Sequence, residues 1–184
     1  MSSYETLPDN LPTPVDDGAC AHLVGMSLPD LDLPTTGGGS VNLSKLPRKT
    51  VVYCYPMTGV PGVALPDGWD EIPGARGCTP QSCSFRDHNA EINALGADVY
   101  GLSTQDTAYQ EEMVARLHLP FPVISDAGFA LIEALNLPTF EADGKRLTKR
   151  VTFIIDAGKI TTVHYPVFPS HSDPDWVMAH LKEA

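Results

Sequence analysis

The chain has 184 residues, of which 42% are hydrophobic and 19% are charged, a balance typical of one globular domain with a substantial core. Its formal net charge of −11 disfavours binding to nucleic acids or anionic lipids, because contacts with phosphates require clustered Lys and Arg. No apolar run approaches the ~20 residues of a membrane span, so we expect no membrane partner either.

The N-terminal segment is polar, acidic and rich in Pro, with prolines at positions 8, 12 and 14. This composition opposes regular structure, so we predict a loose arm over residues 1–22 and a single domain over residues 23–184. The segment lacks the positively charged and apolar regions of a secretory signal. We therefore expect a cytoplasmic protein.

Strands and helices are expected to alternate along the domain. Residues 51–55 are an apolar run without alternation that stops at Pro56, which predicts a buried central strand. Residues 57–77 hold three Pro and five Gly and predict a long irregular loop. The remaining expected elements are, in order, helix 79–95 after the cap Thr79, strand 98–102, helix 107–117 capped by Ser103 or Asp106, strand 121–124, helix 129–135, strand 151–156, strand 160–164 and a helix that opens at Asp173.

This order determines the expected fold class. Helices that alternate with strands indicate a mostly parallel sheet with helices on both faces. The turn at residues 156–159 then joins the last two strands into an antiparallel hairpin. We therefore predict an α/β protein with a central mixed β-sheet flanked by helices, the arrangement of a thioredoxin-like fold.

The four cysteines do not suggest a disulfide scaffold, since the chain shows no export signal. Cys54 lies within the apolar strand and is interpreted as a buried structural residue, whereas Cys20 in the arm is interpreted as an incidental thiol. Cys78 lies where a Gly-rich loop enters a helix. The unpaired N–H groups and partial positive charge of a helix N-terminus stabilise a thiolate, so Cys78 is the candidate nucleophile.

Cys83 lies five residues after Cys78 on the same predicted helix. Their Cα atoms would be roughly 8–9 Å apart there, whereas a disulfide needs less than about 7 Å. The helix start must therefore unwind before the two thiols can bond, which suits a resolving cysteine that acts after Cys78 has become a sulfenic acid. A zinc site with His88 is disfavoured because residues five apart on a helix do not converge, and no metal or cofactor is expected.

Several segments of the domain carry a resemblance to one family. They are Leu28-Pro29-Asp30-Leu31, Tyr55-Pro56, Gly77-Cys78-Thr79 with Cys83-Ser84-Phe85-Arg86-Asp87, Gly101-Leu102-Ser103-Thr104 and Arg150-Val151-Thr152-Phe153-Ile154-Ile155-Asp156. In these segments the sequence resembles the Q-type peroxiredoxins, also called bacterioferritin comigratory proteins. The cysteine spacing followed by Arg-Asp is quite specific, and the strand after Arg150 supports it independently.

The resemblance implies a thioredoxin fold, reduction of hydroperoxides, and recycling by thioredoxin or a similar dithiol donor. By residue match, Cys78 is the peroxidatic thiol and Cys83 the resolving thiol, and Arg150 stabilises the thiolate and the peroxide. An intramolecular bond between Cys78 and Cys83 does not require a dimer, so we expect a monomer.

The loop before Cys78 departs from the family pattern. The family has a hydroxyl residue three positions before the cysteine, where this chain has Ala75, and Pro56 lies 22 residues before Cys78. We expect an insertion over residues 57–76, with Thr58 supplying the hydroxyl if Pro56 keeps its place. The insertion includes Trp69, which either packs over the site or belongs to a surface excursion.

Two other functions remain open at the level of sequence. A thiol–disulfide oxidoreductase would use the same fold on protein substrates, but the Cys-x-x-Cys motif usual in such enzymes is absent. A non-catalytic redox sensor would form the same disulfide and change a partner surface. Peroxide turnover distinguishes the peroxidase from both.

Overall fold

A computed structural model describes residues 4–183 of the chain. Its strands and helices are, in chain order, β1 (Asp32–Pro34), β2 (Ser40–Asn42), β3 (Lys49–Cys54), α1 (Cys78–Ala94), β4 (Ala97–Ser103), α2 (Thr107–Leu117), β5 (Val123–Ser125), α3 (Ala130–Leu135), β6 (Thr139–Ala142), β7 (Lys145–Thr148), β8 (Val151–Asp156), β9 (Lys159–His164) and α4 (Asp173–Glu183). Within this described part of the chain, no helix is both long and apolar enough to cross a membrane.

The elements predicted from the sequence are all present, within a few residues of their expected bounds. Helix α2 has the expected bounds, and Asp106 rather than Ser103 caps it, because the Asp106 side chain accepts a hydrogen bond from the Tyr109 backbone N–H at 2.8 Å. The cap predicted for α1 is wrong: its N-cap is Gly77, which makes no side-chain cap hydrogen bond, and Thr79 lies inside the first turn because the helix begins at Cys78.

The central sheet has five strands in the order β5-β4-β3-β8-β9. Strand β3 pairs in parallel with β4, which pairs in parallel with β5, whereas β8 runs antiparallel to both β3 and β9. The predicted mixed sheet is thus confirmed. Because β3 is central, its residues from Thr50 to Cys54 are all buried, which explains the apolar run without alternation.

Alternate residues of β3 point into two cores on opposite faces of the sheet. Val52 and Cys54 belong to the core that α3 covers. Val51 and Tyr53 belong to the other core, which includes side chains of α1, α2 and α4. Tyr53 stacks on Phe85 of α1 with ring centroids 4.4 Å apart, so α1 is packed directly on the central strand.

Two short hairpins were not predicted from the sequence. Strands β1 and β2, which have only three residues each, flank a turn of three glycines at residues 37–39. Strands β6 and β7 flank Asp143-Gly144, where φ is 50° and 68°, the positive values that a tight hairpin turn of this dipeptide requires. The Asp-Gly signal was therefore present in the sequence and was overlooked.

The described part of the arm, residues 4–22, contains no helix or strand, as expected. It nevertheless lies against the domain: Cys20 is buried, and Asp17 accepts hydrogen bonds from Tyr165 at 2.9 Å and from Lys149 at 3.2 Å. Side-chain contacts thus hold this segment in place without backbone pairing. The division into an arm and a domain at residue 22 stays a prediction.

Candidate active site

Cys78 is the first residue of α1, at the end of the long loop. The preceding Gly77 has φ 112°, a value that side-chain-bearing residues rarely adopt, and a β-carbon there would collide with Ser170. Glycine is therefore required for the chain to enter the helix at this angle. The junction places the Cys78 thiol, which is 3% exposed, among the first free N–H groups of α1.

Arg150 lies against the Cys78 thiol although it precedes β8 in another part of the chain. Its Nη2 donates a hydrogen bond to Cys78 Sγ at 3.2 Å and another to the Ala75 carbonyl at 3.1 Å. Its Nε donates to the Gly74 carbonyl at 3.3 Å. Because the guanidinium is buried and held by loop carbonyls, its charge is fixed beside the sulfur, where it favours a thiolate.

A chain of hydrogen bonds continues behind Arg150. Its Nη1 donates to the side-chain oxygen of Gln81, and the Gln81 amide N–H donates to Asp173 Oδ2 at 2.7 Å. The fully buried Asp173 also accepts from Thr152 Oγ1 at 2.6 Å and lies 2.7 Å from His164 Nδ1. The carboxylate therefore orients the Gln81 amide so that its oxygen faces Arg150.

Pro56 and Thr58 lie at the start of the loop, directly after β3, and both are buried. The Thr58 backbone is anchored on its two sides: its N–H donates to Gln105 Oε1 at 3.3 Å, and its carbonyl accepts from Tyr109 Oη at 2.7 Å. Its hydroxyl, by contrast, finds no hydrogen-bond partner among residues 4–183. A buried hydroxyl without a partner costs free energy, so Thr58 Oγ1 is an unsatisfied polar group at the start of the loop, although Thr58 itself does not line the cavity at Cys78.

A small cavity reaches Cys78. Its volume is about 10 Å³. It is lined by Tyr4, Met57, Gly59, Leu65, Trp69, Arg76, Gly77, Cys78 and Thr79. Met57 and Gly59, which flank Thr58, thus meet Cys78 here, so the structure brings the start and the end of the long loop together.

Cys83 lies within the intact α1, and its thiol is only partly buried. Burial raises its pKa above the ordinary value. The first turns of α1 are also tied to neighbouring elements, because Ser84 Oγ donates to the His171 carbonyl at 2.7 Å and Tyr53 Oη donates to Ser82 Oγ at 3.0 Å. Both cysteines are free thiols in this structure, in keeping with a helix that must open before they can bond.

The sequence model of the family described as Redoxin matches residues 23–178, which is most of the chain. A relative from Arabidopsis thaliana named peroxiredoxin Q, chloroplastic, is 30% identical over 164 residues, covering 87% of this chain and 67% of the relative. The chain belongs to the redoxin family, as a Q-type peroxiredoxin.

Other comparisons agree with this assignment. Peroxiredoxin Q, chloroplastic, from Oryza sativa subsp. japonica is 32% identical over 142 residues, which cover 77% of this chain, and this peroxiredoxin spans only about 58% of the length of that relative. The crystal structure of peroxidoxin BcpB from Mycobacterium tuberculosis superposes with a TM-score of 0.69 at 25% identity, over 88% of this chain and 98% of that chain. The thioredoxin-like fold expected from the sequence is thereby confirmed.

The long loop of this peroxiredoxin is mostly irregular, as predicted, with one 3-10 turn at Trp69–Glu71. Trp69 is 3% exposed and packs in a small core with Met57 and Ala75, and its ring centroid is 6.1 Å from that of Phe140 in β6. Trp69, which lines the cavity at Cys78, therefore packs over the site, whereas residues 61–64 of the insertion are exposed at the surface.

The other two cysteines of this peroxiredoxin are buried on the opposite core. Cys54 is fully buried, as predicted for a structural residue, and burial raises its pKa well above the ordinary value. Cys20 is also buried, and its pKa is raised from 9.0 to about 12, chiefly by that burial. Neither thiol is therefore poised for nucleophilic attack.

His88, the third residue of the zinc alternative, contacts the backbone of its own helix. His88 Nδ1 lies 2.8 Å from the backbone carbonyl of Ser84, one turn earlier in α1. Within residues 4–183, no three His, Cys, Asp or Glu side chains are grouped so that they could hold a metal ion.

Sequence reasoning missed the residues behind Arg150. Gln81 lies three positions after Cys78, and Thr152 two positions after Arg150, so each is one turn or one strand repeat from a residue that was identified. Asp173 was recognised only as the start of the last helix. Gln81 could have been identified because it lies about one helical turn after Cys78, on the same face of α1. No feature of the sequence singled out Asp173 as part of the site.

Proposed function

We propose that this chain is a thiol-dependent peroxidase that reduces hydrogen peroxide and organic hydroperoxides. The observation that carries the proposal is the hydrogen bond of 3.2 Å from the buried Arg150 guanidinium to Cys78 Sγ, at the N-terminus of α1. A fixed cation and free N–H groups stabilise both a thiolate and the negative charge that develops on a leaving oxygen. The kinship with peroxiredoxins named Q supports the same activity.

In the first step, the Cys78 thiolate attacks the terminal oxygen of the hydroperoxide. The S–O bond forms as the O–O bond breaks, and the leaving oxygen takes a proton and departs as water or an alcohol. The sulfur is thereby oxidised by two electrons to a sulfenic acid. Arg150 stabilises the leaving oxygen, and the unpaired hydroxyl of Thr58, whose backbone Gln105 and Tyr109 anchor, binds the peroxide.

In the second step, the Cys83 thiol attacks the Cys78 sulfenic acid. The S–S bond forms, and the sulfenic oxygen leaves as water. The first turns of α1 must unwind for this step, because five residues of helix hold the two Cα atoms roughly 8–9 Å apart. Thioredoxin or a similar dithiol donor then returns both cysteines to thiols by disulfide exchange. We propose that the chain carries out this cycle as a monomer in the cytoplasm.

The test has two parts. Peroxide consumption is measured with thioredoxin, thioredoxin reductase and NADPH, and the cysteine pairing is mapped by mass spectrometry after one equivalent of hydrogen peroxide. We expect many turnovers per chain and a Cys78–Cys83 bond. A single turnover per chain favours a redox sensor instead, and reduction of protein disulfides without peroxide turnover favours a thiol–disulfide oxidoreductase.

A further inference from the structure

Access to Cys78 is narrow. The cavity that reaches the thiol measures about 10 Å³, whereas the cavity beside Arg150 that is lined by Pro14, Ile72 and Phe140 measures about 400 Å³. A volume of this smaller size is close to the minimum that holds one water molecule, so hydrogen peroxide is the hydroperoxide that needs the least displacement of the walls. A hydroperoxide that carries a branched or aromatic group needs far more room at the sulfur.

One wall of the narrow cavity is rigid. Trp69 is almost completely buried, and it packs against Met57 and Ala75 of the loop and against Leu147 of the β6–β7 hairpin. Moving its indole ring would open a cavity in this small core, which is costly because protein cores are densely packed. The Trp69 wall therefore stays in place while a substrate enters.

Tyr4, which belongs to the arm, forms another wall of this cavity. The Tyr4 ring lies against Gly59, where an added β-carbon would be 2.9–3.1 Å from three Tyr4 ring carbons. The Tyr4 hydroxyl donates to the Val63 carbonyl at 2.6 Å, and the Arg76 guanidinium lies 5.5 Å from the ring centroid. Because residues 4–22 form no helix or strand, Tyr4 can leave this place without breaking helical or sheet hydrogen bonds.

We infer that Tyr4 and Trp69 are specificity-determining residues that form a size filter at Cys78, with Trp69 as the fixed wall and the Tyr4 ring as the movable wall. Hydrogen peroxide, the smallest hydroperoxide, reaches the thiol with the least displacement of these walls. A bulky hydroperoxide reaches it only when Tyr4 has moved away, so the rate constant of its reaction with Cys78 is reduced in proportion to the fraction of time that the arm is open. This inference rests on the proposed peroxidase function and adds its substrate preference.

The test compares second-order rate constants of Cys78 oxidation by hydrogen peroxide, tert-butyl hydroperoxide and cumene hydroperoxide in rapid-mixing experiments. In Tyr4→Ala, we expect the ratio of the cumene to the hydrogen peroxide rate constant to rise at least fivefold, and the gain to increase with the size of the hydroperoxide. Tyr4→Phe keeps the ring and loses the bond to Val63, so we expect its ratio to lie between those of Tyr4→Ala and the wild type.

Val15→Ala is the matched control, since Val15 lies in the same arm, is 82% exposed, and lines the larger cavity beside Arg150 but not the cavity at Cys78. We expect it to leave the ratio unchanged. If the wild type turns over hydrogen peroxide and Tyr4→Ala leaves the ratio unchanged, the size filter is overturned and the proposed function stands. A wild type that turns over no peroxide overturns both.

Discussion

Arg150 donates a hydrogen bond to the sulfur of Cys78 at 3.2 Å, although 72 positions separate the two residues in the chain. The same guanidinium donates to Gln81 and to three loop carbonyls, those of Gly74, Ala75 and Arg76. One cation thus joins the loop, the first turn of α1 and the start of β8. The sulfur and the groups that surround it are held as one unit.

Arg150→Ala removes this cation, and we expect the second-order rate constant of Cys78 oxidation to fall by about 100- to 1,000-fold, the usual loss of one preorganised electrostatic group. Rapid mixing with hydrogen peroxide measures it. The fold is expected to remain, with a stability loss of about 1–3 kcal/mol from the unpaired Gln81 and loop carbonyls. Arg150→Lys keeps the charge and loses the planar fork, so it should be intermediate. An unchanged rate constant in Arg150→Ala would mean that Arg150 is only structural.

Cys78→Ser is expected to abolish peroxide turnover, because a serine hydroxyl is a much weaker nucleophile than a cysteine thiolate. The coupled thioredoxin assay measures turnover in the steady state. Cys54→Ser is the matched control, since Cys54 is fully buried on the opposite core and should retain activity once folded. Normal turnover by Cys78→Ser would contradict the assignment of the nucleophile.

Cys83→Ser is expected to react once with peroxide and then to stop, since no second thiol on α1 can displace the sulfenic oxygen. Mass spectrometry should detect sulfenic acid at Cys78, and sulfinic acid under excess peroxide. Continued recycling of this variant by the dithiol donor would show that another residue resolves the sulfenic acid.

Oxidation of the wild type is expected to unwind the start of α1, because the two thiols are too far apart on an intact helix. Hydrogen exchange over residues 79–88 should therefore be faster in the oxidised than in the reduced protein. The contacts of Ser82 and Ser84 with Tyr53 and His171 are lost at the same time, so the oxidised form should also unfold at a lower temperature. Equal exchange in the two redox states, with Cys78 bonded to Cys20 or Cys54, would exclude Cys83 as the resolving residue.

Asp173→Asn replaces a buried carboxylate that accepts hydrogen bonds from Gln81 and Thr152. Because an amide competes poorly for these donors, Gln81 should lose its orientation toward Arg150, and the rate constant of Cys78 oxidation should fall by about 10- to 100-fold. Thr152→Val removes one bond to the same carboxylate without touching Gln81 and should have the smaller effect on the rate. If Asp173→Asn oxidises Cys78 with the same rate constant as the wild type, Asp173 has a role in stability alone.

Alkaline pH is expected to destabilise the protein. Burial raises the pKa of Cys20 from 9.0 to about 12, so between these values the unfolded chain has lost a proton that the folded chain still binds. The free energy of unfolding must then fall as pH rises above about 9, and Cys54 contributes with the same sign. Urea unfolding between pH 7 and pH 10.5 measures the slope, which should be smaller in Cys20→Ala. A free energy of unfolding that increases over this interval would contradict the burial of these thiols.

Much of this fold follows from local patterns. The burial of β3, the cap of α2, and the strand-turn-strand pattern of β8 and β9 were visible in contiguous residues, because each depends on hydrogen bonds and side chains a few positions apart. The β1–β2 and β6–β7 hairpins were missed because strands of three or four residues carry too few alternations to show a period. The predicted thiol positions followed from the loop-to-helix junction, which is also local.

By itself, the sequence determined the order of strands and helices, the position of Cys78 at the start of α1 and of Cys83 within it, and the kinship on which the interpretation of Arg150 rested. Only the tertiary structure decided what surrounds the sulfur. Asp173 meets Gln81 across 92 positions, and Tyr4 meets Val63 across 59. Such contacts arise when distant segments pack on one face of the sheet, and their donors and acceptors obey no period along the chain.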